Sequence, residues 1–329
     1  MRAMLFATVA CVAVTSSAFG WGADGHRMIS TIAVQSLPAD MPAFLRTPEA
    51  VYEAGYLGPE ADRVRGAGKS FDDEHSPSHF VDIDDDLTIH GGPKINALPI
   101  SREKYDDALR AVGTDQYKMG YLPYTIQHGF ERLSKDLAYW RVDVWGEKNG
   151  KTAEVRAAYA KDRVMREAIA LHDLGTWSHF VADGSMPMHA SIHYNGWGKG
   201  PNPEGFTDAK IHSPFESKYV HSNITDKDIV AALPAYHDCQ CAIWVRTANY
   251  LTGSQALVAP TYRLEKDHGF SKKSPEVDSF VTAQLARGAA ELRDMIIDAY
   301  HHAGDLGVGY PEVKVSEIEA GKVESPPVE

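Results

Sequence analysis

Apolar residues in this chain recur mainly at three- and four-residue spacing, the period of a helix with one buried face. The first such stretch opens at Trp21-Gly22-Ala23-Asp24-Gly25-His26 and runs to about residue 36. Ile29, Ile32, Ala33 and Leu37 form its stripe, and Pro38 ends it. Residues 102–112 and 117–144 read as two more helices. The second carries Tyr121, Ile126, Phe130, Leu133, Leu137 and Trp140 as core positions. A long helix is expected over 151–181, built of good helix formers without Pro, with Val164, Ala168, Leu171, Gly175 and Ser178 along one side. Residues 226–251, broken near Pro234, and 275–302 complete the set. The last carries Phe280, Ala283, Leu285, Ala289, Leu292 and Ile296. No long segment alternates with the two-residue period of a strand, so the expected fold is mostly α. No linker or repeat interrupts residues 21–303, which predicts one multi-helix domain. From Gly304 to residue 329 the chain is rich in Glu, Pro and Val and is expected to be disordered.

The leading residues change the address. Arg2, the apolar run Met4 to Val14 and the small-x-small site Ala18-Phe19-Gly20 read as a secretory signal over residues 1–20. Cleavage leaves Trp21 as the new N-terminus. No later run is long and apolar enough for a membrane helix, so a secreted or periplasmic protein without stable membrane insertion is expected. Of the three cysteines, Cys11 leaves with the signal. Cys239 and Cys241 are one residue apart, a spacing that strains a bridge, so no disulfide framework is expected. The net charge of −12 argues against broad electrostatic binding of duplex nucleic acid. It leaves a phosphate substrate open, because bound cations can reverse the local sign.

Candidate chemistry centres on His179-Phe180-Val181-Ala182-Asp183-Gly184-Ser185-Met186-Pro187-Met188-His189. On a helix His179 and Asp183 share a face and can reach one cation. Gly184 and Pro187 stop the helix and return His189 on the following turn. Two imidazoles and a carboxylate suit zinc. His26 lies five residues from the presumed free amine, which with its carbonyl oxygen can chelate a metal. Asp62 and His79 are candidates from two connected segments, and His212 and Glu216 repeat the His-x3-acid spacing. His128 and His172 read as packed or exposed, with a role behind the ligands open for His172. His301-His302 suits the negative end of a helix. The Gly/Pro/Asn-rich loop from His193 to Thr207 is long enough to mark a functional rim.

The ordered set Trp21, His26, Asp62, His79, His179, Asp183, His189, His212, Glu216 resembles the superfamily that joins secreted zinc-dependent single-strand nucleases, of P-one and S-one type, with bacterial zinc phospholipases C. The resemblance implies a multi-helix fold around three zinc ions. One would be held by Asp62, His79 and His179. A second would be held by the Trp21 amine and carbonyl with His26, with Asp183 bridging it to the first. The third would be held by His189, His212 and Glu216. Trp21-x4-His26, Ala61-Asp62-x2-Arg65 and His79-Phe80-x-Asp82 are similar to the nucleases. Pro187-Met188-His189-Ala190, Glu216 and the missing disulfide framework are similar to the phospholipases. Arg63 stands where the phospholipases carry a tyrosine for choline, and Ala190-Ser191-Ile192 stands where nucleases often carry Gly-Gly-Asn.

The expected function is therefore a zinc-dependent phosphodiester hydrolase of nuclease or nucleotidase type, acting on single-stranded DNA or RNA through zinc-activated water. Asp62 would orient that water, and Arg65 would neutralise phosphate charge. Phe80 would stack on a base and Asp82 would accept hydrogen bonds from its edge. Two rivals stand beside this expectation. One is a phospholipase C acting on phosphatidylcholine-type lipids, and the other is a zinc-stabilised exported protein that binds without turnover.

Overall fold

Three long helices dominate the computed structural model, which describes residues 21–198 and 200–323. The expected leader, residues 1–20, lies outside the described residues. In chain order the helices are α1 (Gly22–Gln35), α2 (Pro48–Leu57), α3 (Glu60–Arg65), α4 (Lys69–His75), α5 (Arg102–Arg110), α6 (Gln116–Met119), α7 (Leu122–Asn149) and α8 (Ala153–Ser185). They continue as α9 (Val220–Asn223), α10 (Asp226–Ala231), α11 (Ile243–Gln255), α12 (Val258–His268), α13 (Pro275–Ala303) and α14 (Val315–Glu319). The only sheet among the described residues is a two-stranded antiparallel ribbon, β1 (Gly307–Val308) with β2 (Val313–Lys314). The mostly α expectation therefore holds.

α7 and α8 pack along each other, with α13 and α1 against their core face. Close approach is bought by small residues. A Cβ at Gly129 of α7 would meet the Trp177 ring of α8, and one at Gly146 would meet Tyr159. Thr152 caps α8 by accepting the Val155 N–H at 3.3 Å. The first half of α8 is a surface helix, with Val164 and Met165 exposed, so the stripe expected there is not a buried one. Its last three turns enter the core: Leu174, Trp177, Val181 and Ala182 are buried together with His179 and Asp183. α13 is buried almost all round from Gln284 to Ile297, because α1, α7 and α8 all pack on it.

Several expectations need correction. The 117–144 helix begins at Leu122 and ends at Asn149, with α6 as a separate turn before it. The break near Pro234 is a whole loop, from Ala232 to Ala242, rather than a kink. In that loop Cys239 and Cys241 are joined, with Cα atoms 5.1 Å apart, a local link that leaves the expected absence of a disulfide framework untouched. α12 was not anticipated, because Pro260 reads as a breaker; it sits in the first turn, where its missing N–H costs nothing. Residues 304–323 are not a disordered tail. Val308, Val315 and Ile318 are buried, and Arg141 on α7 holds Glu319 in two bonds of 2.9 and 2.7 Å. The polar composition there hides three aliphatic anchors. Residues 324–329 lie outside the described residues.

One buried carboxyl on α7 makes the packing sensitive to pH. Burial first, then Asp162 on α8, push the Asp143 carboxyl up to about 7. The folded chain thus keeps a proton that the unfolded chain releases near pH 4, so this group costs stability as pH rises from about 4 to about 7. Asp143→Asn keeps the shape and removes the charge. It should raise Tm at pH 8 and leave it unchanged at pH 4 by calorimetry. Equal shifts at both pH values would contradict the assignment.

Candidate metal centre

Several elements deliver ionisable side chains to one buried spot. α1 brings His26, α3 brings Asp62, and a 3-10 turn over Ser76–His79 brings His79. The buried end of α8 brings His179 and Asp183, and the 3-10 turn Pro187–Ala190 brings His189. His212 stands just before a π-helical turn, Pro214–Tyr219, that carries Glu216. π-helical turns recur at functional sites because the wider ring re-aims a side chain. All these ligand-type side chains are buried; His26, His179, Asp183 and Glu216 are wholly so.

The side chains form three groups whose ligand atoms lie within 4.8 Å of one another: His26, His179 and Asp183; Asp62, His79 and His179; His189, His212 and Glu216. Asp183 stands between the first two groups, with Oδ1 3.5 Å from His26 Nε2 and Oδ2 3.3 Å from His179 Nε2. Asp62 Oδ1 is 3.8 Å from His179 Nε2 and 3.9 Å from His79 Nε2. Glu216 Oε2 is 2.9 Å from His212 Nε2 and 3.8 Å from His189 Nε2. Donors on a tetrahedral ion with bonds of about 2.0–2.1 Å stand about 3.3 Å apart. The observed spacings bracket that edge.

The second nitrogen of each ring explains the aim of the first. His179 Nδ1 donates to the Gly58 carbonyl at 2.8 Å, and His79 Nδ1 to the His75 carbonyl at 3.0 Å. His189 Nδ1 donates to the His79 carbonyl at 2.6 Å, and His212 Nδ1 to the Tyr194 carbonyl at 2.7 Å. Each bond turns Nε2 inward with its lone pair free, the arrangement seen behind metal-bound imidazoles. His26 has no such bond; its ring stacks on His179 at 3.8 Å. Nε2 of all five histidines and both oxygens of Asp183 and Glu216 have no hydrogen-bond partner. Among the described residues these are most of the buried side-chain polar atoms left without one. Buried groups of this kind are normally satisfied, so the cluster is suited to a bound partner. A donor set of imidazole nitrogens and carboxylate oxygens fits cations. The residues present therefore form three buried sites that could hold metal ions.

Electrostatics agree. Burial holds His26 and His79 well below the usual histidine range, so both present the neutral, ligating form at pH 7. Burial raises Asp62 to about 6. For His189 burial acts downward, but Asp183 and Glu216 outweigh it and push the ring up to about 9. Protons and cations compete for the same lone pairs here.

A cleft of about 310 Å³ opens over the cluster, bordered by His79, His189 and His212. Phe80, Asp82 and Arg65 line it as well. Main-chain bonds fix the two walls together: the Val81 N–H donates to the His189 carbonyl at 2.9 Å, and the Ile192 N–H to the Ile83 carbonyl at 3.2 Å. Gly120, at φ +75°, lets the neighbouring turn pass Phe80; a Cβ there would overlap the Phe80 carbonyl. Asp82 is pushed up to about 8, by burial first and then by Asp84. Arg65 is buried, with Nη1 3.4 Å from Asp62 Oδ1 and Nε 2.9 Å from Asp72 Oδ1, so it is not a surface ion pair.

Trp21 is buried at the start of α1. Its indole N–H donates to Ser185 at 2.7 Å, and its carbonyl accepts the Gly25 N–H at 3.2 Å. It lines a second cavity together with Asp62. Chelation by its amine depends on cleavage before Trp21, which falls in residues outside the description. His128 is exposed. His172 is exposed too and pairs with its neighbour Asp173, outside the ligands' buried cluster. His301 and His302 are exposed at the end of α13, as expected. Sequence reasoning missed Lys118 and Tyr194 in the cleft, and Phe180, whose ring edge meets His79 at 5.1 Å. Tyr194 sits in the loop flagged as a rim; nothing in the sequence marks Lys118.

No protein-family model matches the chain, and no curated protein matches it. No helix among the described residues is long and apolar enough to cross a membrane.

Metal should control stability. At metal concentrations about a thousandfold above Kd each bound ion contributes about 4 kcal/mol, so chelation should lower Tm by on the order of ten degrees. Asp183→Asn, which touches two groups, should abolish more of that shift than His212→Asn, which touches one. A chelator-insensitive Tm would rule the sites out.

Proposed function

We propose that the protein is a zinc-dependent phosphodiester hydrolase acting on single-stranded nucleic acid. One observation carries the reading: the cleft that opens on His79, His189 and His212 also holds an aromatic ring, a carboxylate and two cations, Phe80, Asp82, Arg65 and Lys118. A mixed imidazole and carboxylate set without thiolate suits zinc. Bound zinc supplies Lewis acidity toward a phosphoryl oxygen and makes water a nucleophile near pH 7. The chain's own residues then divide the remaining work. Arg65, already oriented by Asp62 and Asp72, presents guanidinium N–H groups suited to phosphate oxygens. Lys118 adds a second positive charge on the same cleft in a chain of net charge −12. Phe80, half-buried, offers a ring face to a base, and Asp82 a carboxyl group to its edge. Stacking tolerates any base, and a duplex hides both the face and the edge, which favours single strands. Arg63, beside Asp62, and the cations of the cleft suit a phosphate better than a choline headgroup. The resemblance to the secreted zinc nucleases supports the same reading, including three ions, the Trp21 amine as a ligand and an exported address.

Purified protein lacking residues 1–20 should cleave single-stranded DNA or RNA, and chelator should stop it. Faster cleavage of phosphatidylcholine would transfer the assignment to the phospholipase reading. Metal binding without turnover of any phosphoester would leave a binding protein. Phe80→Ala should raise KM for oligonucleotides roughly tenfold, about 1.4 kcal/mol of lost stacking, and leave hydrolysis of a small generic phosphodiester unchanged. An equal loss on both substrates would make Phe80 a packing residue. Arg65→Ala should lower kcat by about a hundredfold with metal content intact. An unchanged kcat would remove Arg65 from the reaction.

A further inference from the structure

We propose that Tyr262 and His193 are positioning residues for His212, locking the carbonyl that aims its ring at the third cation group. The proposal rests on reading His189, His212 and Glu216 as a metal site. His212 can present Nε2 to an ion only while its Nδ1–H is held, and the Tyr194 carbonyl holds it at 2.7 Å. That carbonyl lies in a loop in which, among the described residues, no helix or strand stands between Ala190 and Ile211. A carbonyl in irregular chain is fixed only by tertiary bonds, and here those bonds gather on both sides of Tyr194.

Tyr262, buried on α12, donates its hydroxyl to the His193 carbonyl at 2.7 Å and accepts the Gly196 N–H at 2.8 Å. One oxygen thus clamps the turn before and after Tyr194. The His193 ring is buried as well and stacks flat on Trp197, with ring centroids 3.9 Å apart. Its Nδ1 reaches the Trp197 carbonyl, closing the turn from inside. Its Nε2 lies 3.3 Å from Asp85 Oδ2 in the acidic run that follows Phe80 and Asp82. Within the clamped turn Asn195 Oδ1 accepts the His212 N–H at 3.2 Å, so backbone and ring of His212 are tied to the same turn. Gly196, at φ +111°, completes the fit; a Cβ there would stand 2.6 Å from the Asp208 carbonyl oxygen. Neither Tyr262 nor His193 belongs to the three cation groups. Their effect on the ion passes through the clamped turn, by the Tyr194 carbonyl on the His212 ring and by Asn195 on its backbone N–H.

Loss of a partner that orients a metal-bound imidazole costs about tenfold to a hundredfold in metal affinity. Tyr262→Phe removes one oxygen and keeps the ring that packs on Trp197. Chelator competition on the whole protein loaded with zinc, followed by native mass spectrometry, should show one ion weakened by about that factor and the others unchanged. His193→Gln should weaken the same ion. Asp85→Asn, at the exposed end of the clamp, should weaken it less and serves where the buried variants fail to fold. Tyr124→Phe, which removes a hydroxyl bonded at 2.7 Å to the Pro99 carbonyl, is the control and should weaken none. Wild-type affinity for every ion in Tyr262→Phe, or an equal loss at every ion, would overturn the proposal. Wild-type protein that binds no ion would overturn the metal reading itself.

Discussion

Burying imidazoles and carboxylates without hydrogen-bond partners is the constraint on which this structure turns. Five Nε2 atoms and the carboxylate oxygens of Asp183 and Glu216 face one another, and among the described residues none of them has a hydrogen-bond partner of satisfactory geometry. Each unsatisfied polar group costs about 1–3 kcal/mol, more when charged, and total stability is only about 5–15 kcal/mol. A chain could not keep such a cluster unless something else offset the cost. Divalent cations could do so directly, because every unpaired atom in the cluster can offer a lone pair. The helices around it are then best understood as supports. α8 enters the core at the turns that carry His179 and Asp183, and α13 and α1 close over them. Structural rigidity behind the donors comes from backbone carbonyls of Gly58, His75, His79 and Tyr194, each taking one imidazole N–H.

The same arrangement places the candidate metal groups beside the cleft. The segment that supplies His79 continues into Phe80 and Asp82, and its main chain bonds to the segment that supplies His189. The Phe80 ring and two candidate metal ligands, His79 and His189, are thus mounted on one pair of bonded strips. Arg65 lies one turn after Asp62 and pairs with it, so the buried cation of the cleft is set by a carboxylate of the candidate metal group. This coupling is why metal removal is expected to disturb the cleft as well as the core.

Much of this was legible in the sequence wherever one periodicity governed the outcome. His179 and Asp183 share a face because a helix repeats every 3.6 residues, and His212 and Glu216 come together over the same spacing on a π-helical turn. The long helices were legible from their stripes, although the stripe on α8 failed at Val164, because the first half of that helix leaves the core. What periodicity cannot give is the meeting of distant segments. Nothing local to Asp62 or His79 says that they approach His179; the ordered resemblance to a zinc family supplied that expectation. Lys118 reaches the cleft from a four-residue helix with no stripe to read. Residues 304–323 were misread because three buried aliphatics outweigh a polar composition. Tyr262 was invisible for the same reason as α12: Pro260 hides the helix that carries it.

The central claim is that this cluster exists to hold cations, and counting them tests it most directly. Native mass spectrometry of protein lacking residues 1–20, folded with zinc and desalted, should show three zinc ions per chain, one for each buried group. A chain carrying one ion or none would contradict the account.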